Sequence, residues 1–225
     1  MSVVDEEVSA FVENMTSTYN QKMTTAVREN FTDDYFDSLG GPEAVMKKQF
    51  PAQAWREFYN GTLPPARQMT QVYELGEPYG RDRDIIVGLG KQLSDEVKHA
   101  RILANLSEEL GTSCDLATWE GENYDKFVSK CRTTTEWDEP HHIAAGLQCS
   151  TEIIAARTLE RIGEYVEDDY PDITASLRDI AADEGDHIHV GRLIMKRFAS
   201  PDELDTLDEI AERKYDAAVS VLESL

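Results

Sequence analysis

Two stretches of this chain carry the same chemistry at the same spacing: Asp95-Glu96-Val97-Lys98-His99 and Asp183-Glu184-Gly185-Asp186-His187. Within a helix, residues three apart share a face with Cβ atoms ~5–6 Å apart, so each Glu and His converge on one point. A carboxylate and an imidazole reaching one point suit iron or manganese better than the metals that favour thiolates. Two such pairs on facing helices, joined by Glu from two further helices, form a di-metal carboxylate site. With 44 acidic residues in the chain, one Glu-x-x-His is weak evidence; a second copy, closed by two of only five histidines, is much stronger.

A third carboxylate fits the pair. Glu152 lies in the apolar run Cys149-Ser150-Thr151-Glu152-Ile153-Ile154-Ala155-Ala156, where a lone buried carboxylate would be costly. The midpoint of Glu152 and Glu184 is position 168, beside the turn signal Asp169-Tyr170-Pro171, so a chain reversal there sets both glutamates at one height. Glu96 and Glu152 become level if their helices run parallel, which a long crossover over 112–139 would produce. His141-His142 beside Pro140 is expected at a helix start, as a turn residue or else a contact for metal entry or substrate. His189, two after His187 and so about 200° round the helix, is expected to face elsewhere. Cys149, three before Glu152, reads as a small buried hydrophobe or a lining residue of the site.

The spacing of these motifs resembles that of the ferritin-like di-iron oxygenases, and within them the phenylacetic acid catabolic family, the subunits of phenylacetyl-CoA epoxidase. Asp95 to His99 followed by Ser107-Glu108-Glu109-Leu110-Gly111 is similar to that family's second core helix and its end, and residues 140–190 to its third and fourth. The resemblance covers about 65 to 200. It implies a ferritin-like four-helix bundle holding two iron ions, or manganese, on Glu96, His99, Glu152, Glu184 and His187, bridged by Glu152 and Glu184 or a similar pair. Asp95 and Asp183 would orient the ligand histidines from behind. The implied activity is that of a monooxygenase: O2 activated to oxygenate a small organic substrate, aromatic or acyl-CoA-linked, with electrons from a partner reductase. The family also contains structural sister subunits, so a non-catalytic, metal-storage or peroxide-scavenging protein is the alternative. A homo- or hetero-oligomer is expected either way. The family takes a sixth ligand from the first core helix, about thirty residues before the first motif; here that window is Leu63-Pro64-Pro65-Ala66-Arg67-Gln68-Met69, without a carboxylate. Glu74, Glu57 or no residue at all could complete the site, and Glu74 stands only two residues before the turn at Gly76.

The elements that must position these residues are helices throughout. Apolar residues recur at three and four between sparse Gly and Pro clusters, which predicts helices over 6–30, 43–60, 65–75, 82–110, 140–167, 172–198 and 202–224. Gly111 has the place of a glycine just past a helix end. The expected organisation is all-α: an N-terminal extension over 1–64, the bundle over 65–200 and a C-terminal helix over 201–225, packed as one domain. Gly88 and Gly90 suggest close approach of a neighbouring helix, and Gly185 either the same or room beside the metal. Trp55, Phe58, Tyr59, Trp119 and Trp137 read as packing residues.

Composition bounds the rest. The formal charge of −22 over 225 residues repels phosphate backbones, so nucleic acid is not an expected partner. Acids spread along the whole chain are the signature of a halophilic surface, whose self-repulsion high salt screens. No apolar run approaches the ~20 residues of a membrane span, the acidic start lacks the features of a signal peptide, and three cysteines at no metal-like spacing predict no disulfide framework. The expected location is the cytoplasm. Gly-rich phosphate loops and nucleophile elbows are absent from the sequence, which leaves hydrolase, kinase and dinucleotide-binding readings without support.

Overall fold

The computed structural model describes residues 5–117 and 139–222. Trp119, Cys131, Trp137 and most of the expected crossover over 112–139 lie outside them. Among the described residues the fold is all-α, as the periodicity predicts, with no strand. α1 (Glu6–Asn30) begins where the Asp5 carboxylate accepts the backbone N–H groups of Glu7 and Val8. It is followed by α2 (Asp33–Leu39), α3 (Pro42–Asn60), α4 (Leu63–Leu75) and α5 (Arg83–Glu109). After the crossover come α6 (Pro140–Gly146), a π-helical turn (Leu147–Thr151) and α7 (Glu152–Val166), which form one continuous rod. α8 (Pro171–Phe198) and α9 (Leu204–Leu222) complete the chain.

Two local features depart from the sequence reading. α2 was not expected: at seven residues it is too short for a periodicity to declare itself, and it exists because Thr32 caps it, Gly40 ends it at φ 110° and Phe36 is buried beneath it. The π turn was also not expected, since wider winding leaves no mark in hydrophobic spacing. The end of α5 agrees with the sequence reading. Gly111 takes φ 78°, its N–H reaches the Glu108 carbonyl at 2.9 Å, and the Thr112 N–H reaches that of Ser107 at 2.9 Å. Both orphan carbonyls are thereby satisfied, and only glycine adopts that backbone at no steric cost.

Four rods surround the centre: α3, α5, α7 with its π turn, and α8. Gly88 packs on Val190, Asp95 reaches His187 and His99 reaches Asp183, so α5 and α8 run in opposite senses. Glu57 faces His99 and Gly61 faces Glu96, so α3 is antiparallel to α5. α7 and α8 reverse over a short turn, which makes α5 and α7 parallel across the crossover. The bundle's first helix is therefore α3, inside the segment expected to be an extension.

The core is divided. One apolar cluster gathers Met23, Phe31, Phe36, Phe50, Leu103, Leu159 and Leu177; the other gathers Val12, Tyr19, Leu89, Cys149, Val190, Ile194 and Ile210. α5 and α8 each contribute to both clusters, and their Glu-x-x-His motifs fall between the two contributions. α1 spans the same two clusters from outside, and α9 packs on α1 and α6. A polar layer thus lies sealed between two apolar ones.

Candidate metal centre

The polar layer holds Glu57, Glu96, His99, Glu152, Glu184 and His187, each 3% exposed or less. Their donor atoms form two overlapping groups. In one, Glu57, Glu96, His99 and Glu184 place ligand atoms within 4.8 Å of one another; in the other, Glu96, Glu152, Glu184 and His187 do the same. Glu96 and Glu184 belong to both. The sequence reading placed Glu152 and Glu184, or a similar pair, between the ions; in the geometry the two residues common to both groups are the glutamates of the motifs themselves. Glu152 with His187, and Glu57 with His99, occupy the two ends.

Glu57 is the carboxylate the sequence left open. It descends from α3 into the centre, its Oε2 3.4 Å from His99 Nδ1. Glu74 lies exposed on α4, lining a surface groove of ≈ 620 Å³ with Leu63, Ala66, Arg67, Thr70 and Gln71. The counting window failed because α4 is interposed between α3 and α5, which lengthens the connection. Two signals in the sequence mark Glu57. It continues the buried stripe Met46, Phe50, Gln53 at helical spacing, and it closes Gln53-x-x-x-Glu57, a pattern repeated as Gln92-x-x-x-Glu96 and Gln148-x-x-x-Glu152.

Both histidines turn Nδ1 toward the carboxylates and Nε2 away from them. His187 Nδ1 lies 2.7 Å from Glu184 Oε2 and 3.4 Å from Glu96 Oε1; His99 Nδ1 lies 3.4 Å from Glu184 Oε1. On the far side His99 Nε2 meets Asp183 Oδ2 at 3.2 Å and His187 Nε2 meets Asp95 Oδ2 at 3.4 Å. Each motif's aspartate thus supports the other motif's histidine. Lys91 joins them from outside, at 2.6 Å from Asp95 and 3.1 Å from Asp183, and Lys98 adds 2.9 Å to Asp183. An Asp–His contact of this kind fixes the imidazole's orientation and raises its basicity as a ligand.

The electrostatics show what the layer lacks. Burial, and then the neighbouring carboxylates, push Glu96 and Glu152 well above the usual range. Burial pulls Glu184 upward too, but the imidazoles of His187 and His99 beside it outweigh that and hold the carboxyl at about 2. His99 is driven up to about 10: burial works against its charge, and Glu184 and Glu57 overcome it. Burial raises Asp183 too, but its bonds to Lys98, His99 and Lys91 prevail and keep it below the ordinary carboxylate range. Four carboxylates in a dry layer do not ionise together without compensating charge. Glu57 Oε2, Glu184 Oε1 and His99 Nδ1 are buried with no hydrogen-bond partner among the described residues, and all three face the centre. Orphaned buried donors and acceptors are rare in native proteins. Two divalent cations on oxygen and imidazole nitrogen would satisfy all three, and the donor set fits iron or manganese.

Other candidates fall outside the layer. Cys149 turns to α1, its Sγ 3.5 Å from Thr16 Oγ1, and burial raises its thiol to about 11. His189 is exposed, as its helix position predicts. His141 is 3% exposed and its Nε2 lies 2.9 Å from Glu203 Oε1, with His142 Nε2 at 3.7 Å. Glu203 is committed elsewhere as well, its Oε2 accepting from the backbone N–H and hydroxyl of Ser200, so this cluster closes the corner between α8 and α9 against α6. Gly88 does mark a close approach, because a Cβ there would collide with Val190; Gly90 and Gly185 do not, the one meeting only Met69 at 3.8 Å and the other open space. Trp55 is buried and stacks on Tyr59 with ring centroids 4.8 Å apart, but Phe58 is 38% exposed and is not a core residue.

No family model, no curated protein and no solved structure matches the chain. Among the described residues no helix is long and apolar enough to cross a membrane. The residues and their geometry carry the functional argument.

Proposed function

We propose that this chain is a ferritin-like di-metal carboxylate protein, holding two irons or an iron–manganese pair, and that it activates O2 to oxygenate an organic substrate. The substrate class is aromatic or acyl-CoA-linked, the electrons come from a partner reductase, and the compartment is the cytoplasm. One observation carries the reading: six buried donors from four rods fall into two overlapping groups, with an aspartate behind each histidine.

The metal pair, when bound, supplies stepwise reduction of O2 and an oxygen reactive enough to insert into an unactivated bond. Everything else belongs to the protein. Glu57, Glu96, His99 and Glu184 would hold one ion, and Glu96, Glu152, Glu184 and His187 the other. Asp183 and Asp95 accept the Nε2–H protons and so hold both rings with Nδ1 inward. Lys98 and Lys91 help keep Asp183 ionised, and Lys91 pairs with Asp95 at 2.6 Å. The two apolar clusters exclude water on either side, which protects a reactive centre from side reactions.

Metal analysis after anaerobic loading with Fe(II), followed by O2 uptake with a chemical reductant and candidate aromatic or acyl-CoA substrates, tests the reading. Two irons per chain and an oxygenated product are expected. Zinc alone, or no metal, would overturn it. Iron with peroxide consumption and no product would favour the storage or peroxide-scavenging alternative.

A further inference from the structure

Three fully buried glutamines extend from the centre toward the start of α6. Gln92 on α5 donates from Nε2 to Glu152 Oε1 at 2.9 Å and to Glu96 Oε1 at 3.4 Å. Gln148 in the π turn donates to Gln92 Oε1 at 3.1 Å and to Gln68 Oε1 at 2.7 Å. Gln68 on α4 donates back to Gln148 Oε1 at 3.2 Å and to the Pro140 carbonyl at 3.0 Å. All three side chains have no solvent exposure.

Six amide hydrogens therefore meet six acceptors, and each amide oxygen accepts at least once. An amide can in general be turned over, exchanging its N and O. Here it cannot. The chain ends at the Pro140 carbonyl, which only accepts, so turning Gln68 sets oxygen against oxygen there, and turning Gln148 or Gln92 alone sets like atoms of neighbouring amides against each other. Fully satisfied buried networks of this kind impose one arrangement on the groups they touch. The seat is built for it: a Cβ at Gly191 on α8 would collide with Gln148, and the wider π turn carries Gln148 and Glu152 inward together.

The opposite end of the layer has nothing comparable. Glu57 Oε2 has no hydrogen-bond partner among the described residues, and its Oε1 receives only Arg56 at 3.4 Å. Gln53, one turn before Glu57, leaves its own Oε1 unpartnered, and the residue one turn before Glu184 is the apolar Ile180. Glu152 is fixed by a closed hydrogen-bond network before any ion arrives, whereas Glu57 has longer contacts of 3.4 Å to Arg56 and His99.

We infer that Gln92, locked by Gln148 and Gln68, is a positioning residue that makes the two metal positions unequal, so that the Glu152–His187 position fills first and more tightly than the Glu57–His99 position. This rests on the two-metal reading above. A preorganised ligand loses less freedom on binding and so yields the higher affinity.

Anaerobic titration with Co(II), followed by its visible absorption, tests the inference on wild type and on Gln92→Leu, Gln148→Leu and the double variant. Wild type should bind in two resolved steps, with Glu152→Gln removing the tighter and Glu57→Gln the weaker. Gln92→Leu should weaken the tighter step by about 10–100-fold and the weaker one much less, through its longer contact with the shared Glu96. Gln148→Leu should act in the same direction by less, and the double variant should be no weaker than Gln92→Leu alone, because both act through one hydrogen bond to Glu152. Equal steps in wild type, equal weakening of both steps by Gln92→Leu, or additive losses in the double variant would overturn the inference and leave two-metal binding standing. A wild type that takes up no Co(II) would instead remove the two-metal reading, and the inference with it. Should Gln92→Leu fail to fold by circular dichroism, Gln148→Leu and Gln68→Leu, which touch no ligand, carry the same test.

Discussion

The α3–α5 and α7–α8 hairpins supply the same ligands, a terminal Glu from the first helix and a Glu-x-x-His from the second, yet they are not chemically equivalent. Glu184 of the second hairpin sits between both histidines, 2.7 Å from one and 3.4 Å from the other, and is held ionised. Glu96 of the first lies among Glu152, Glu184 and Glu57 and is driven toward its protonated form by burial and by those charges. Gln92 meets Glu152 with a hydrogen bond, whereas Glu57 Oε2 has no hydrogen-bond partner among the described residues. Identical motifs therefore fix which donor atoms face the centre, and the neighbours fix how each is held and which way its proton equilibrium is pushed.

Removing a shared ligand should separate the hairpins' roles with the largest effect. Glu184→Gln takes a donor from both ions, and metal analysis should find the pair lost. Glu57→Gln and Glu152→Gln should each cost one ion, and Glu74→Gln none. Equal losses from Glu57→Gln and Glu74→Gln would return the sixth ligand to α4.

Protons sharpen the same contrast. Burial and the neighbouring carboxylates raise Glu96 and Glu152 well above the usual carboxylate range, so an incoming ion competes with protons for them. Metal affinity should fall as pH falls, and an indicator dye should register proton release on binding. If two protons leave per ion pair, the overall constant should change roughly a hundredfold per pH unit. Affinity independent of pH would mean that these carboxylates are ionised before the metal arrives.

The aspartates cross between the hairpins, and their removal should cross as well. Asp95→Asn should weaken the ion on His187, and Asp183→Asn the ion on His99, each by about 10–100-fold. The assignment can be read by combining each change with Glu57→Gln or Glu152→Gln. If Asp95→Asn acts on the ion of its own motif's His99, the cross-support is wrong.

Two glycines give the smallest and cleanest contrast. A Cβ on Gly61 would fall on the Glu96 carboxylate, so Gly61→Ala should displace that ligand and lower metal affinity. Gly185, inside the second motif, faces open space, so Gly185→Ala should leave metal binding intact and raise helix stability by up to about 1 kcal/mol, measurable as a melting shift.

Much of this was legible in the residues. The long helices are visible in the apolar spacing, and Glu96, His99, Glu184 and His187 are marked by a repeated motif with few histidines to spend on chance. Glu152 is marked by an apolar run that a lone carboxylate should not occupy, and its height against Glu184 follows from a chain reversal near position 168. Other features were not legible. α2 is shorter than any window that can show a period, and the π turn changes winding without changing composition. Counting back from a motif placed the sixth ligand near Leu63 to Met69 because the count assumes a connection without a helix in it.

What the sequence by itself determined is the inventory: an all-α chain with paired Glu-x-x-His motifs and a third carboxylate at matching depth, because helical period and turn chemistry act over a few residues at a time. Only the tertiary structure decided which carboxylate comes from α3, which two glutamates stand between the metal positions, that each aspartate serves the opposite histidine, and that three glutamines lock one end of the layer. Those relations join residues 42 to 92 positions apart through contacts of 2.9 to 3.4 Å, and the registers of packed helices, which set them, are fixed by interdigitating side chains rather than by any local signal.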